Sequence, residues 1–170
     1  LNIGATGTGI TLEGWINVAS VDGLHPIAEW YSGVRDILGV QFWINSSPYS
    51  SGGLLAVLYD TNGNRQALTS PEGILQPNVF QHVAMTYDRT SGMTTIYLNG
   101  AAVAQENMGS FVPQTSYNLW IGHRPFDVPG DWTYGATLGG LLDEFTLYNR
   151  ALSSNEIAAV YNAGANGKCA

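Results

Sequence analysis

One long connection in the last third of the chain concentrates side chains that suit a small polar ligand. Residues 124–137 read RPFDVPGDWTYGAT, far longer than a hairpin requires, and long connections in compact domains are often functional. The candidate ligand-binding residues within it are Arg124, Asp127, Asp131, Trp132 and Tyr134. Aromatic rings can stack on the C–H patches of a sugar, while charged groups take its hydroxyls. The loop therefore predicts a shallow rim site for a carbohydrate.

Further aromatic candidates lie on the predicted strands and on a second loop. Trp30 and Tyr31 are adjacent on one strand, so one of them must face away from the core. Tyr49 lies in the polar loop SSPYSSGG and is a further candidate. We interpret Trp15, Trp43 and Trp120 as residues of the core. For Trp132 the alternative to a ligand contact is a lid that folds back onto the core.

The carboxylates show no pattern that is typical of glycoside hydrolysis. That reaction usually needs two carboxyl groups about 5–9 Å apart on one face, which on a strand means acids at i and i+2 or i+4. Asp143 and Glu144 are adjacent, so regular alternation predicts opposite faces, while Glu13 and Glu29 are isolated in the sequence. His82 lies in a buried strand, and we interpret it as a structural histidine. We therefore expect no catalysis.

Charge and composition narrow the classes of partner. The net charge is −7 and the six basic residues are scattered singly, so a nucleic-acid partner, which needs clustered Lys and Arg, is not expected. No run of about 18 apolar residues suggests membrane insertion. Only 11% of residues are charged and Gly is abundant, which favours an all-β domain that works outside the cytoplasm. The single cysteine, Cys169, cannot form an internal disulfide, and we interpret it as a terminal thiol.

The strand pattern predicts an all-β fold built around residues 80–100. FQHVAMTYDRTSGMTTIYLNG reads as two strands with a turn between them, and Asn99-Gly100 then predicts a type I′ hairpin turn into a third strand. About ten short strands are predicted along residues 1–170. One helix is predicted over residues 154–162, from the capping box of Ser153 and Glu156 and the apolar stripe that follows. The expected fold is a single two-sheet antiparallel β-sandwich with one short C-terminal helix.

Four fragments of the sequence resemble a known superfamily. They are ITLEGWINV, HVAMTYDRTSGMTTIYLNG, LWIGHRP and GGLLDEFTLYNRALSSNEIAAVYNAG, within residues 10–164. Their order and spacing resemble the concanavalin A-like lectin/glucanase superfamily, in particular its laminin-G-like, pentraxin-like branch. The resemblance implies a jelly-roll fold and a domain cut from a larger protein, because only residues 1–9 remain for the strand that usually precedes ITLEGWINV.

The resemblance also implies a possible Ca²⁺ site. By position in the pentraxin-like branch, Asp36, Asp127 and Asp131 would supply ligands, although Arg124 stands about where an acidic ligand is expected. Laminin-G-like relatives place Ca²⁺ near the LDE strand, which would recruit Asp143. Calcium takes six to eight oxygen ligands, so carbonyls and waters would complete either site.

Two functions from different classes follow. The first is a non-catalytic, lectin-like carbohydrate-binding module of a larger extracellular or cell-surface protein, of bacterial origin, whose partner is a polysaccharide or glycan. The second is a structural or adhesive module of the laminin-G type that binds other proteins. A glycan array would separate them.

Overall fold

The computed structural model describes residues 2–34, 37–45, 51–125, 136–164 and 167. Within these ranges the chain forms strands β1 Gly9–Val18, β2 His25–Tyr31, β3 Leu38–Asn45, β4 Gly53–Tyr59, β5 Arg65–Thr69, β6 Gln81–Asp88, β7 Met93–Leu98, β8 Ala101–Asn107, β9 Asn118–Ile121 and β10 Gly140–Tyr148, followed by helix α1 Ser154–Ala163. None of the described helical residues forms a segment long and apolar enough to cross a membrane.

The strands form two antiparallel sheets that pack face to face. Sheet A has the order β10-β1-β6-β7-β8, and sheet B has the order β5-β4-β3-β2-β9. Alternate residues of each strand enter one core between them, for example Ile10, Leu12 and Ile16 of β1 opposite Phe42 and Ile44 of β3. The predicted antiparallel jelly-roll β-sandwich is confirmed.

The central meander is formed as its sequence predicts. Strand β6 lies inside sheet A and is buried along both faces from Gln81 to Tyr87. Asn99 and Gly100 have φ angles of 48° and 78°, as a type I′ turn requires. Gly100 also approaches α1 so closely that a Cβ atom there would lie 2.9 Å from Cδ1 of Tyr161. The turn therefore sets both the β7–β8 pairing and the distance between sheet A and the helix.

Helix α1 covers part of the outer face of sheet A. The Oγ atom of Ser153 accepts a hydrogen bond from the backbone N–H of Glu156, and the Glu156 carboxylate accepts one from the backbone N–H of Ser153. Leu152 and Ile157 are both buried against Ala84 and Tyr97 of the sheet. The predicted capping box and the apolar contact of the helix with the sheet are confirmed.

A buried pair of ionisable residues lies on the same face of sheet A. Nε2 of His82 lies 3.0 Å from Oε2 of Glu13, and both side chains are fully buried. Trp15 and Tyr161 contact the imidazole ring, with centroid distances of 5.4 and 6.2 Å. His82 is therefore a structural histidine in this fold. Glu13, isolated in the sequence, has an imidazole as its neighbour because β1 and β6 are paired.

A β-bulge in β10 overturns the opposite-face expectation for Asp143 and Glu144. Glu13 pairs with Thr146 and Trp15 pairs with Asp143, so two residues of β10 lie opposite Gly14 alone. Glu144, within the bulge, has a φ angle of 51°, and Oδ1 of Asp143 accepts its backbone N–H at 2.8 Å. Both residues are exposed and line one cavity. Regular alternation failed here because the bulge interrupts it.

The faces occupied by the tryptophans also differ from the prediction. Trp30 lies in the core between the sheets with no exposed surface, so it cannot stack on a ligand. Trp15, Trp43 and Trp120, which we expected in the core, belong to the outward positions of their strands. The register shows this for Trp120, which pairs with outward-facing Glu29, whereas Leu119 pairs with Trp30. The assignment of Trp30 as a ligand-binding residue is therefore wrong.

Candidate functional site

The outer face of sheet B carries a buried ion pair between Glu29 and Arg124. Nε of Arg124 donates to Oε1 of Glu29 at 2.8 Å and to Oε2 at 3.1 Å, and Nη2 donates to Oε2 as well. The Glu29 side chain is fully buried and that of Arg124 is 8% exposed. Nε2 of Gln41 adds a weaker hydrogen bond to Oε2 at 3.3 Å. The carboxylate is thus satisfied from two directions, which a buried charge needs.

Aromatic rings surround this ion pair. The guanidinium carbon of Arg124 lies 4.3 Å from the ring centroid of Trp43 and 5.8 Å from that of Tyr31. Trp120 occupies the position beside Glu29 on the neighbouring strand, and its ring meets that of His123 edge-on at 6.1 Å. A guanidinium over an indole face is a favourable cation–π geometry. The rings and the ion pair therefore form one rigid cluster, the sheet B cluster, of Glu29, Tyr31, Trp43, Trp120, His123 and Arg124.

Two indole N–H groups of this cluster have no acceptor among the residues that the structure describes. The indole Nε1 atoms of Trp43 and Trp120 are buried, and neither has a hydrogen-bond partner among the described residues. A buried N–H group without an acceptor costs free energy.

The base of the 124–137 loop is fixed to the sandwich. The N–H of Arg124 donates to the carbonyl of Ala136, and the N–H of Leu138 donates to that of Gly122, both at 2.9 Å. Nδ1 of His25 lies 2.9 Å from the carbonyl oxygen of Thr137, which ties the base to β2. The two ends of the loop thus continue an antiparallel pairing, and the Arg124 side chain locks the first end onto Glu29. The geometry makes this base a stable support for whatever the loop presents.

Several predicted ligand-binding and metal-binding residues lie outside the described residues: Asp36, Tyr49, Asp127, Asp131, Trp132 and Tyr134. Of the others, Arg124 and Tyr31 belong to the sheet B cluster, and Tyr31 has no exposed surface. Arg124 is engaged by Glu29, so its predicted role of orienting hydroxyl groups becomes a structural one. Asp143 faces outward from sheet A, on the other side of the sandwich from Arg124.

The described residues supply no ready-made metal centre. No three His, Cys, Asp or Glu side chains converge within the described ranges in a way that could hold an ion. Oδ1 of Asp143 accepts a hydrogen bond from the N–H of Glu144. Asp143 lies in sheet A, whereas the 124–137 segment begins after β9 of sheet B. The side chains of Asp143 and Arg124 therefore belong to different surfaces of the sandwich.

Comparison of the sequence with family models assigns the chain to a family. A family model of the laminin G type, described as the concanavalin A-like lectin/glucanases superfamily, matches residues 2–158. The chain belongs to this family. Among curated proteins, no sequence matches the chain.

Solved structures with the same fold include binding domains of several kinds. The domain CBM40 of the IT-sialidase from Ruminococcus gnavus, bound to α2,3-sialyllactose, has a TM-score of 0.70 at 19% identity, with 91% of this chain and 83% of that chain covered. A heptameric SAP-like pentraxin from Limulus polyphemus has a TM-score of 0.68 at 16% identity, with coverages of 95% and 72%. A putative carbohydrate-binding protein from Bacteroides ovatus has a TM-score of 0.64 at 21% identity. The match covers 89% of this chain but only 40% of that protein. At these identities the likeness establishes the fold.

The residues that the sequence analysis missed share one signal. Glu29, Gln41, Trp43 and Trp120 all occupy outward positions of sheet B, next to inward residues of the core. Phe42 is the inward residue of β3, so alternation alone assigns Trp43 to the outer face. The pairing of Glu29 with Arg124, 95 residues apart, had no local signal.

Proposed function

We propose that the domain is a non-catalytic carbohydrate-binding module whose ligand meets the 124–137 loop above the sheet B cluster. The observation that carries this proposal is the anchoring of the loop. Its base is hydrogen-bonded to the sandwich at 122–124 and 136–138, and Arg124 is locked onto buried Glu29. A preorganised support reduces the entropy lost on binding. The sequence between these two ends contains Trp132 and Tyr134, the aromatic residues best suited to a sugar ring.

Charge favours a neutral sugar at this site. The guanidinium of Arg124 is already neutralised by Glu29, and the chain as a whole carries a net charge of −7. An anionic sugar would need a basic group that is free to meet it, and it would also approach against the charge of the protein.

Two relatives with this fold support a carbohydrate ligand in general, although the sialyllactose named for one of them is an anionic sugar. One is described as bound to sialyllactose and another as a putative carbohydrate-binding protein. A third is the receptor binding domain of botulinum neurotoxin D, at 17% identity. We propose by this analogy, together with the low charge content, that the parent protein is bacterial and works outside the cell or at its surface. The chain would then be one module of that protein.

The second candidate is a structural or adhesive module that binds another protein. It is favoured by the exposed apolar residues Val34, Ile37 and Ile121 near the β2–β9 edge of sheet B, which are 44–55% exposed. A glycan array with the purified domain separates the two candidates. Reproducible hits that free sugar competes away support carbohydrate binding. An array without hits, together with a protein captured through a surface that includes Val34, favours the second.

The decisive variant for the first candidate is Trp132→Ala. We expect it to remove on the order of 1–3 kcal/mol of affinity for an array hit, the scale of burying one large side chain, and to leave the melting temperature unchanged. Trp132→Phe is the matched control, because it keeps a ring that can stack and should retain most of the affinity. Binding is measured by isothermal titration calorimetry.

The opposite result would show that the ligand binds elsewhere on the domain. A sharp fall in melting temperature for Trp132→Ala, with unchanged affinity for the sugar, would make Trp132 a lid on the core. The ligand contacts would then have to be sought around Tyr49.

The non-catalytic part of the proposal has its own assay. Because Asp143 and Glu144 line the same cavity, the absence of a carboxylate pair can no longer be argued from alternation. We expect the purified domain to release no reducing sugar from polysaccharides. Release that disappears in Asp143→Asn would show that the domain is a hydrolase.

A further inference from the structure

The outer face of sheet A contains a cavity that the proposed function does not use. It has a volume of about 430 Å³ and lies at the C-terminal end of α1. The described residues that line it are Trp15, Phe80, Asp143, Glu144 and Gly164. The cavity is on the opposite side of the sandwich from the sheet B cluster, so the two surfaces cannot form one site.

The bulge in β10 builds the acidic side of this cavity. Because two residues lie opposite Gly14, Asp143 keeps its place beside Trp15 while Glu144 is turned outward next to it. A non-glycine residue with a φ angle of 51° is an uncommon and costly conformation, here supported by the hydrogen bond from its N–H to Asp143. The bulge therefore brings two carboxylates to one opening.

The other side of the cavity is apolar and continues as an exposed patch. Phe80 is 44% exposed and Leu141 is 60% exposed. Leu141 pairs with Asn17 of β1, which lies two positions along the strand from Trp15. Residues two apart on a strand share a face, so Trp15, Asn17 and Leu141 belong to the same surface. Trp15 is held in place by Tyr161 of α1 at a centroid distance of 5.6 Å. The patch thus presents fixed aromatic and aliphatic groups to the solvent.

The electrostatic character of the cavity is negative. None of the described residues that line it is basic. The last turn of α1, which ends at Gly164 beside the cavity, also contains no basic residue. The C-terminal end of a helix carries a partial negative charge, which adds to that of the Asp143 carboxylate. A complementary ligand therefore combines a cationic group with an apolar face.

We propose that this cavity binds an amino sugar whose amine is free, such as a glucosamine unit in an oligosaccharide. The apolar face of the pyranose ring lies against Phe80, and the ammonium group meets the carboxylate of Asp143. Asn17 accepts a hydrogen bond from a hydroxyl group of the sugar. A charge-assisted hydrogen bond and an aromatic contact next to each other suit this ligand, and N-acetylation removes the first of them.

The test compares two tetrasaccharides that differ only in charge. Tetraglucosamine and its fully N-acetylated counterpart are titrated into the protein by calorimetry, below the pKa of the sugar amine. We expect binding of tetraglucosamine and at least tenfold weaker binding of the acetylated form. Asp143→Asn should weaken tetraglucosamine binding about tenfold, the contribution of one charge-assisted hydrogen bond. Phe80→Ala, at an exposed position, should weaken it as well.

Glu106→Gln is the matched control for net charge. Glu106 is exposed on β8, the opposite edge of sheet A from β10, and its replacement should leave the affinity unchanged. If Asp143→Asn and Glu106→Gln weakened binding equally, the effect of Asp143→Asn would reflect only general attraction by the acidic protein. If both tetrasaccharides bound equally well, the amine would have no role. Either result overturns the proposal.

A spectroscopic measurement locates the ligand on the wild-type protein, and a variant is used only to assign one signal. The chain has five tryptophans, and the indole N–H signal of Trp15 can be assigned in the NMR spectrum from Trp15→Phe. It should shift on addition of tetraglucosamine. An unmoved Trp15 signal at saturation would contradict the proposal. Trp132→Ala should leave this titration unchanged, so failure of the sheet B proposal and failure of this one are distinguishable.

Discussion

Removal of the Glu29 carboxylate should destabilise the domain strongly. In Glu29→Ala the guanidinium of Arg124, 8% exposed, loses three hydrogen-bond contacts and stays buried beside Trp43. Breaking a buried pair by removing one partner costs about 3–5 kcal/mol. For a domain of this length, 1 kcal/mol corresponds to about 2–4 °C in melting temperature, so the expected loss is about 6–20 °C.

A double-mutant cycle shows whether this loss comes from the uncompensated charge. Glu29→Leu combined with Arg124→Met removes both charges and keeps most of the volume. Replacing a buried ion pair by apolar residues is often neutral or stabilising, so the double variant should be more stable than Glu29→Leu alone. The stabilities are measured by urea denaturation followed by tryptophan fluorescence. Arg150→Ala, which breaks the exposed pair with Glu156, is the control and should change little.

One outcome would refute the reasoning. If the double variant were as unstable as the sum of the two single variants, the side chains would contribute independently, through packing. The ion pair would then not be what fixes the base of the 124–137 loop.

Three further predictions concern the helix, its acidic cap and the metal. Ser153→Ala should cost about 1 kcal/mol, the usual contribution of an N-cap, and an unchanged unfolding midpoint in urea would contradict the capping role. Hydrogen bonds from Arg150, and then those from Ser153, lower the pKa of Glu156 to about 2 from 4.5, so its stabilising contribution is complete above pH 4.5 and is lost as the pH falls toward 2. The difference in melting temperature between wild type and Glu156→Gln should shrink over that window, and a constant difference would argue against the linkage. If Asp36, Asp127 and Asp131 bind Ca²⁺, EDTA should lower the melting temperature and excess Ca²⁺ should restore it. A melting curve that responds to neither would remove the metal hypothesis.

Features that depend on neighbouring residues could be predicted from the sequence. The Asn99-Gly100 turn and the Ser153–Glu156 capping box were predicted and are confirmed. Each rests on backbone preferences or hydrogen bonds within a few residues, so the information is local. The overall β-sandwich followed because apolar alternation in about ten strands leaves few other ways to bury both layers.

Two features could not be predicted from local sequence: the face of each strand that lies in the core, and the pairs of distant charged residues that come into contact. Alternation separates Trp30 from Tyr31, but the packing of the two sheets determines that Trp30 lies inside. The contact of Glu29 with Arg124 joins residues 95 positions apart, and no local pattern encodes it. The bulge that turns Glu144 outward adds a residue to one strand and so breaks the period-two rule on which the sequence argument depended. Side-chain periodicity is a local property, whereas strand register and sheet stacking are set by the burial of the whole chain.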